Sequence, residues 1–193
     1  MAKNILIVGV GGQGILLTGR IIGGYALAKG QDVKMSEVHG MAQRGGSVVM
    51  QVKYADKVYS PLVEIGEADV IFAFEKLEAL RYSHYLKKDG VIIANTQRID
   101  PMPVVMGTVK YPENIEETIK EINAGACLID ALSIAKEIGN VKVVNMIMIG
   151  AYAAYIEDSL EEWKEIIEKI VPKETIEINH LALKRGYEAY INR

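Results

Sequence analysis

Apolar residues fall along the chain in two rhythms, one of strands and one of helices. Ile5 to Val8 is an unbroken Ile, Leu and Val run, as in a strand buried on both faces, and GVGGQG follows at once. From Ile15 to about Lys29 the spacing is helical. Gly19, Gly23 and Gly24 each cost about 1 kcal/mol relative to alanine there, which predicts that something packs very close to that helix. Gly30 closes the helix, Val33 to Val38 and Ser47 to Tyr54 predict strands, and Asp69 to Phe74 predicts another buried one. A helix carrying Leu77, Leu80, Tyr82 and Leu86 is predicted to begin at Glu75, with a strand from Gly90 to Asn95. After Pro101 and Pro103, Val104 to Val109 predicts an added strand and Ile115 to Ile122 a short helix. Cys127 to Ile129 predicts a last parallel strand. Beyond it come helices over Ala131 to Ile138, Asn145 to Ile156, Leu160 to Val171 and Glu177 to Ile191.

This alternation predicts one α/β domain over residues 1–193: an open, mostly parallel, Rossmann-like sheet with helices on both faces and a helical C-terminal layer. Ligands of such sheets sit at the carboxyl ends of the strands. The glycine loop, the stretch SEVHGMAQRGGSV (Ser36 to Val48), Glu75 and Asn95 are all expected at that edge.

Composition narrows the function. A net charge of −3 over 193 residues, half of them hydrophobic, describes a folded chain without the basic face that nucleic acid requires. One cysteine, Cys127, excludes an internal disulfide and four-cysteine iron-sulfur ligation, and predicts a cytoplasmic chain. Neither a signal-peptide pattern nor a full membrane span is expected. The most apolar segment, Val141 to Ile156, is shorter than the roughly 20 residues a span needs.

Gly9, Gly11 and Gly14 fit G-x-G-x-x-G after a strand and before a helix, where the backbone can approach a phosphate and the helix start offers N–H groups. Gly12 and Gln13 add a fourth glycine and a side-chain amide. Glu37 is the acid nearest the place where a dinucleotide fold contacts ribose, though about 28 residues after Gly9. A glycine turn kept for helix packing alone is the competing reading. His39 and Arg44 are the residues with some claim to chemistry, and Glu37, Gln43 and Arg44 beside His39 suggest a polar wall rather than a turn. Asn145 is read as the N-cap of the apolar helix, with a ligand contact as the alternative. His84 and His180 have no ligand spacing, so no metal site is expected, and Cys127 in its apolar strand is expected to be inert. Lys88, Asp89 and Gly90 lack the first glycine of a thiamine-diphosphate Gly-Asp-Gly triplet, and no paired asparagines follow. The chain thus offers a binding edge without a complete catalytic set.

GVGGQGI (Gly9 to Ile15), EVHGMAQRGGSV (Glu37 to Val48), GEADVIFAFEKLEALRY (Gly66 to Tyr82), NVKVVNMIMIGA (Asn140 to Ala151) and INHLALKRGYEA (Ile178 to Ala189) together resemble the gamma domain of the 2-oxoacid:ferredoxin oxidoreductases. The EVHGMAQR stretch is most similar to the small beta subunit of the indolepyruvate branch. The resemblance implies a subunit inactive by itself within an enzyme that converts an aryl-2-oxoacid, coenzyme A and oxidised ferredoxin to acyl-CoA, carbon dioxide and reduced ferredoxin. Thiamine diphosphate and iron-sulfur clusters are then expected on a large partner subunit, with ferredoxin served through the complex and no cofactor held by this chain alone. Gly9, Gly11, Gly12, Gln13, Gly14, Glu37, Gln43 and Asn145 are the expected contacts to coenzyme A as cosubstrate. A gamma subunit for pyruvate or branched-chain oxoacids, and an autonomous Rossmann-type nucleotide-binding protein, remain open.

Overall fold

A computed structural model describes residues 3–40 and 46–193. Six strands, β1 (Lys3–Val10), β2 (Asp32–His39), β3 (Ser47–Ala55), β4 (Ala68–Ala73), β5 (Leu86–Asn95) and β6 (Cys127–Ile129), form one sheet in the order β2-β3-β1-β4-β5-β6. β1, β4, β5 and β6 are mutually parallel, while β3 runs against both β1 and β2. Two reversals return β2 to the direction of β1. The turn between β2 and β3 therefore leaves from the same carboxyl edge as the glycine loop, as the sequence predicts.

Among the described residues eight α-helices accompany the sheet. α1 (Ile15–Ala28), α5 (Ala131–Ile138), α6 (Val144–Tyr155), α7 (Leu160–Ile170) and α8 (Ile176–Ile191) contribute to the larger core, with β1 side chains such as Ile5 and Ile7 beneath them. On the other face α2 (Lys76–Arg81) and α4 (Ile115–Ile122) cover Leu6, Val8, Ile71 and Ile92. α3 (Met102–Val105) is a single turn. β1 alternates between the two cores and is buried through both, which is why its apolar run is continuous.

The glycines of α1 are spent on packing. A Cβ on Gly19 would run into the Met50 thioether, with Cε at 2.8 Å, and one on Gly24 would lie 3.1 Å from Ile166. On the far side of the helical layer α6 lies almost wholly buried, with α8 packed across it. Tyr25 stacks on Trp163 with ring centroids 4.2 Å apart, joining α1 to α7.

Three predicted elements differ. Val104 to Val109 is not a strand: Val104 and Val105 donate to Pro101 O, Thr108 Oγ1 donates to Pro103 O, and Gly107 turns the chain at φ 73. Two prolines fix a helical turn more strongly than β-branched side chains favour extension. The helix begun at Lys76 stops at Arg81, and Leu86 opens β5 because it pairs with Ala68 across the sheet. Asn145 is not the N-cap but lies inside the first turn of α6, which continues a 3₁₀ turn (Val141–Val143) whose cap is Asn140, accepting from Lys142 N at 2.9 Å.

Glu75 shows how the carboxyl edge is pinned. Only 1% exposed, its carboxylate accepts from Glu78 N (3.0 Å), Ile99 N (3.2 Å) and the Tyr111 hydroxyl (2.6 Å). Glu75→Ala strands a buried hydroxyl and two main-chain N–H groups, and is expected to cost about 2–4 kcal/mol in urea unfolding. Tyr111→Phe, which removes one donor and leaves two on the carboxylate, is expected to cost less than half of that.

Candidate functional site

The loop from β1 to α1 turns at different glycines from those a dinucleotide fingerprint assigns. Gly9 is still strand, paired with Val48, and the left-handed conformations fall on Gly12 (φ 96) and Gly14 (φ 82). Gln13 explains this. Its Oε1 accepts from Val10 N at 2.7 Å and its Nε2 donates to Phe74 O at 2.9 Å, so the side chain plugs the turn from inside. A Cβ on Gly9 would meet Gln13 Oε1 at 2.7 Å and Phe74 Cβ at 2.9 Å. Gly9 is therefore glycine because Gln13 fills its place, and the Gln13 side chain holds the turn while also lining the cleft on its far side. Gly11 N donates to Gly46 O at 3.0 Å, which ties the glycine loop to the chain entering β3.

Glu37 and His39 lie on β2, two residues apart and so on one face of the sheet, and both are exposed. With Gly11, Gly12, Gly14, Ile15, Leu16 and Val48 they line a cleft of about 300 Å³ on one side of the glycine loop. His39 Nδ1 lies 3.2 Å from Gly40 O. Gln43 and Arg44, the other half of the expected polar wall, lie outside the described residues.

On the other side of the loop, Gly12, Gln13, Gly14, Leu17, Gln97, Leu132, Val141, Lys142, Val144 and Asn145 enclose about 510 Å³. Asn145 is 4% exposed, its Oδ1 accepts from Met146 N at 3.0 Å, and a Cβ on Gly14 would lie 2.9 Å from its Nδ2. Asn145 thus reaches the glycine loop as a wall residue, not as a cap. Gln97 and Lys142 were not singled out from sequence. The available signal for Gln97 was its place two residues beyond the end of β5, at the ligand edge. A third cleft, of about 690 Å³, lies away from the glycine loop beside Arg98 and Tyr111; Lys76 and Arg98 there are paired with Glu116 and Asp100.

Cys127 is buried, and burial pushes its thiol up to about 11. His84 packs against Tyr85, and His180 Nε2 lies 3.6 Å from Glu168. Among the described residues no group of three or more His, Cys, Asp or Glu side chains is placed to hold a metal ion, and no helix is long and apolar enough to cross a membrane. Asn95, expected at the edge, is fully buried there and accepts from Ala131 N at 3.1 Å.

Residues 4–189 match the family described as pyruvate ferredoxin/flavodoxin oxidoreductase. Indolepyruvate oxidoreductase subunit IorB of Thermococcus kodakarensis is 42% identical over 191 residues, covering 96% of this chain and 95% of that one. The IorB of Archaeoglobus fulgidus is 39% identical over 196 residues, covering 100% and 97%. The 2-oxoglutarate synthase subunit KorC of Methanothermobacter marburgensis is 32% identical over 197 residues, covering 97% and 96%. Among solved structures, the gamma subunit of a keto/oxoacid ferredoxin oxidoreductase from Geobacter sulfurreducens superposes with a TM-score of 0.72 at 24% identity, covering 99% of both chains. The α/β architecture is thus the one seen in a gamma subunit.

Proposed function

Because the chain belongs to the pyruvate ferredoxin/flavodoxin oxidoreductase family, we propose that it is the small subunit of a heteromeric indolepyruvate oxidoreductase. The observation that carries this reading is the identity gap. Relatives named for indolepyruvate reach 37–43% over nearly the whole chain, against 27–32% for those named for 2-oxoglutarate or for pyruvate and ketoisovalerate. In the reaction an aryl-2-oxoacid, coenzyme A and oxidised ferredoxin give acyl-CoA, carbon dioxide and reduced ferredoxin.

The partner large subunit supplies thiamine diphosphate for decarboxylation and iron-sulfur clusters for electron transfer. The residues of this chain fit that division, since its one thiol is buried among apolar strands and offers nothing to an iron-sulfur cluster. Its own contribution is the carboxyl edge. The two clefts beside the glycine loop form one wall of a shared site, and Gly11, Gly12, Gly14, Glu37 and Asn145 border the route of coenzyme A. His39 contributes a polar group to this wall, its Nδ1 3.2 Å from Gly40 O.

Co-expression with the large subunit tests the reading. The expected result is a brown complex that reduces ferredoxin with indolepyruvate and coenzyme A, and at least about tenfold slower with pyruvate. A faster rate with pyruvate would move the chain to the pyruvate or branched-chain branch. The autonomous nucleotide-binding reading is disfavoured by topology: β3 lies between β1 and β2, so the Glu37 backbone stands about 10 Å from β1, one strand farther than a ribose-binding acid. Calorimetry of the isolated chain with NAD or NADP is expected to show no binding.

A further inference from the structure

Two clefts flank the glycine loop, and their polar groups are of opposite kind. The one toward β2 holds Glu37 and His39. The described residues lining the other include no carboxylate; their polar side chains are the amides of Gln13, Gln97 and Asn145 and the ammonium of Lys142.

The amide orientations follow from main-chain groups, which cannot be flipped. Ala131 N donates to Asn95 Oδ1 (3.1 Å) and Asn95 Nδ2 to Phe74 O (3.2 Å), so Asn95 also turns Nδ2 toward Gln97 Oε1 at 3.3 Å. Gln13, fixed by Val10 N and Phe74 O, presents Nε2 to the same oxygen at 3.5 Å. Gln97 Oε1 therefore faces two donors, and its Nε2 is the amide atom left for the cleft. In Asn145 the acceptor is taken by Met146 N, so the free group is again an NH2, on a side chain that is 96% buried by its 4% exposure. Among the described residues nothing accepts from either. The start of α1, a 14-residue helix, adds N–H groups of its first turn, and Lys142 Nζ is in no ion pair among the described residues. Leu17, Leu132, Val141 and Val144 supply apolar walls.

We infer that this cleft is an oxyanion subsite, in which Gln97, Asn145 and Lys142 read the negatively charged oxygens of a phosphate or carboxylate carried on an apolar body. Donors without acceptors select against a group that must itself donate, and an NH2 that lines the cleft gains more from an ionised acceptor than from a neutral one. The inference deepens the proposed function by assigning the anion to the α6 side of the loop, and depends on it only for the identity of the natural ligand.

Titration of the full chain with inorganic pyrophosphate and, separately, with phenylacetate tests this, read through the side-chain NH2 resonances of Gln97 and Asn145. Saturable shifts at both amides are expected, with affinity weakened at least about tenfold in Gln97→Glu. That variant keeps an oxygen for Gln13 and Asn95, so an unchanged urea midpoint is expected to accompany the loss. Lys142→Gln should weaken binding about threefold and flatten its salt dependence. A response to pyrophosphate alone assigns the subsite to a phosphate-bearing cosubstrate, and one to phenylacetate alone to the carboxylate of an aryl acid. Shifts confined to Glu37 and His39, equal affinity in Gln97→Glu, or silence from both amides with both probes would overturn the inference. An active complex with a silent titration sinks the subsite alone; saturable binding in an inactive complex sinks the proposed function alone.

Discussion

Gly186→Ala is expected to be the most damaging single methyl in the molecule, lowering stability by about 3–5 kcal/mol and bringing much of the chain into the insoluble fraction. Its Cβ would overlap the carbonyl oxygen of Ile147 outright and lie 2.6 Å from the carbonyl carbon. The reciprocal position is as tight: a Cβ on Gly150 would overlap Leu183 O and lie 2.8 Å from Tyr187 N. Here α6 and α8 touch backbone to backbone, so no rotamer change relieves the clash and the helices themselves must separate. The better helix propensity of alanine returns only about 1 kcal/mol. Gly125→Ala is the control, because its φ is not positive and nothing lies within 4 Å of the added methyl. Urea midpoints of Gly186→Ala, Gly150→Ala and Gly125→Ala check the prediction, with near-equality of Gly186→Ala and the control as the result that refutes it.

Alkaline unfolding is expected to be abrupt. Burial raises the hydroxyl pKa of Tyr25, Tyr111 and Tyr152 well above the usual tyrosine value near 10; the nearby Asp158 carboxylate reinforces it for Tyr25, the hydrogen bond to Glu75 for Tyr111, and the neighbouring Tyr54 for Tyr152. A group whose folded pKa lies above its unfolded one contributes its full stability below the unfolded value and loses it as pH climbs beyond. With three such groups the slope approaches about 4 kcal/mol per pH unit above 10, against a total stability of about 5–15 kcal/mol. Burial of the Cys127 thiol, pushed up to about 11, adds a smaller loss beginning near pH 9. Exposed tyrosines such as Tyr59 add absorbance without unfolding, so the remaining tyrosinate absorbance should appear together with the loss of far-ultraviolet circular dichroism, within about two units above pH 10. Ionisation of these tyrosines in a chain that keeps its helical signal would show that they are not sealed in the core.

The outcome for each glycine depended on whether other glycines stood beside it in the same helix. The α1 glycines announced a close contact because three interior glycines in one helix are costly, and Met50, Met35 and Ile166 are what they meet. Gly150 and Gly186 stand singly in their helices, so nothing local flagged them. Likewise Gly9, Gly11 and Gly14 were legible as a phosphate-type loop, but the plug that Gln13 makes depends on Phe74 O, sixty-one positions away.

What the sequence determined by itself was every buried parallel strand, the helical C-terminal layer and the edge at which the glycine loop lies, because period and apolar continuity are local signals of burial. The family was legible too, through short stretches whose residues stand together. What only the tertiary structure decided was the division of labour at that edge. Asn95 and Glu75 turn inward, Gln13 is a plug, and Gln97, Asn145 and Lys142, from elements far apart in sequence, converge on one cleft. Side-chain direction and the pairing of each donor with an acceptor depend on long-range neighbours, and these exist only once the strands are side by side.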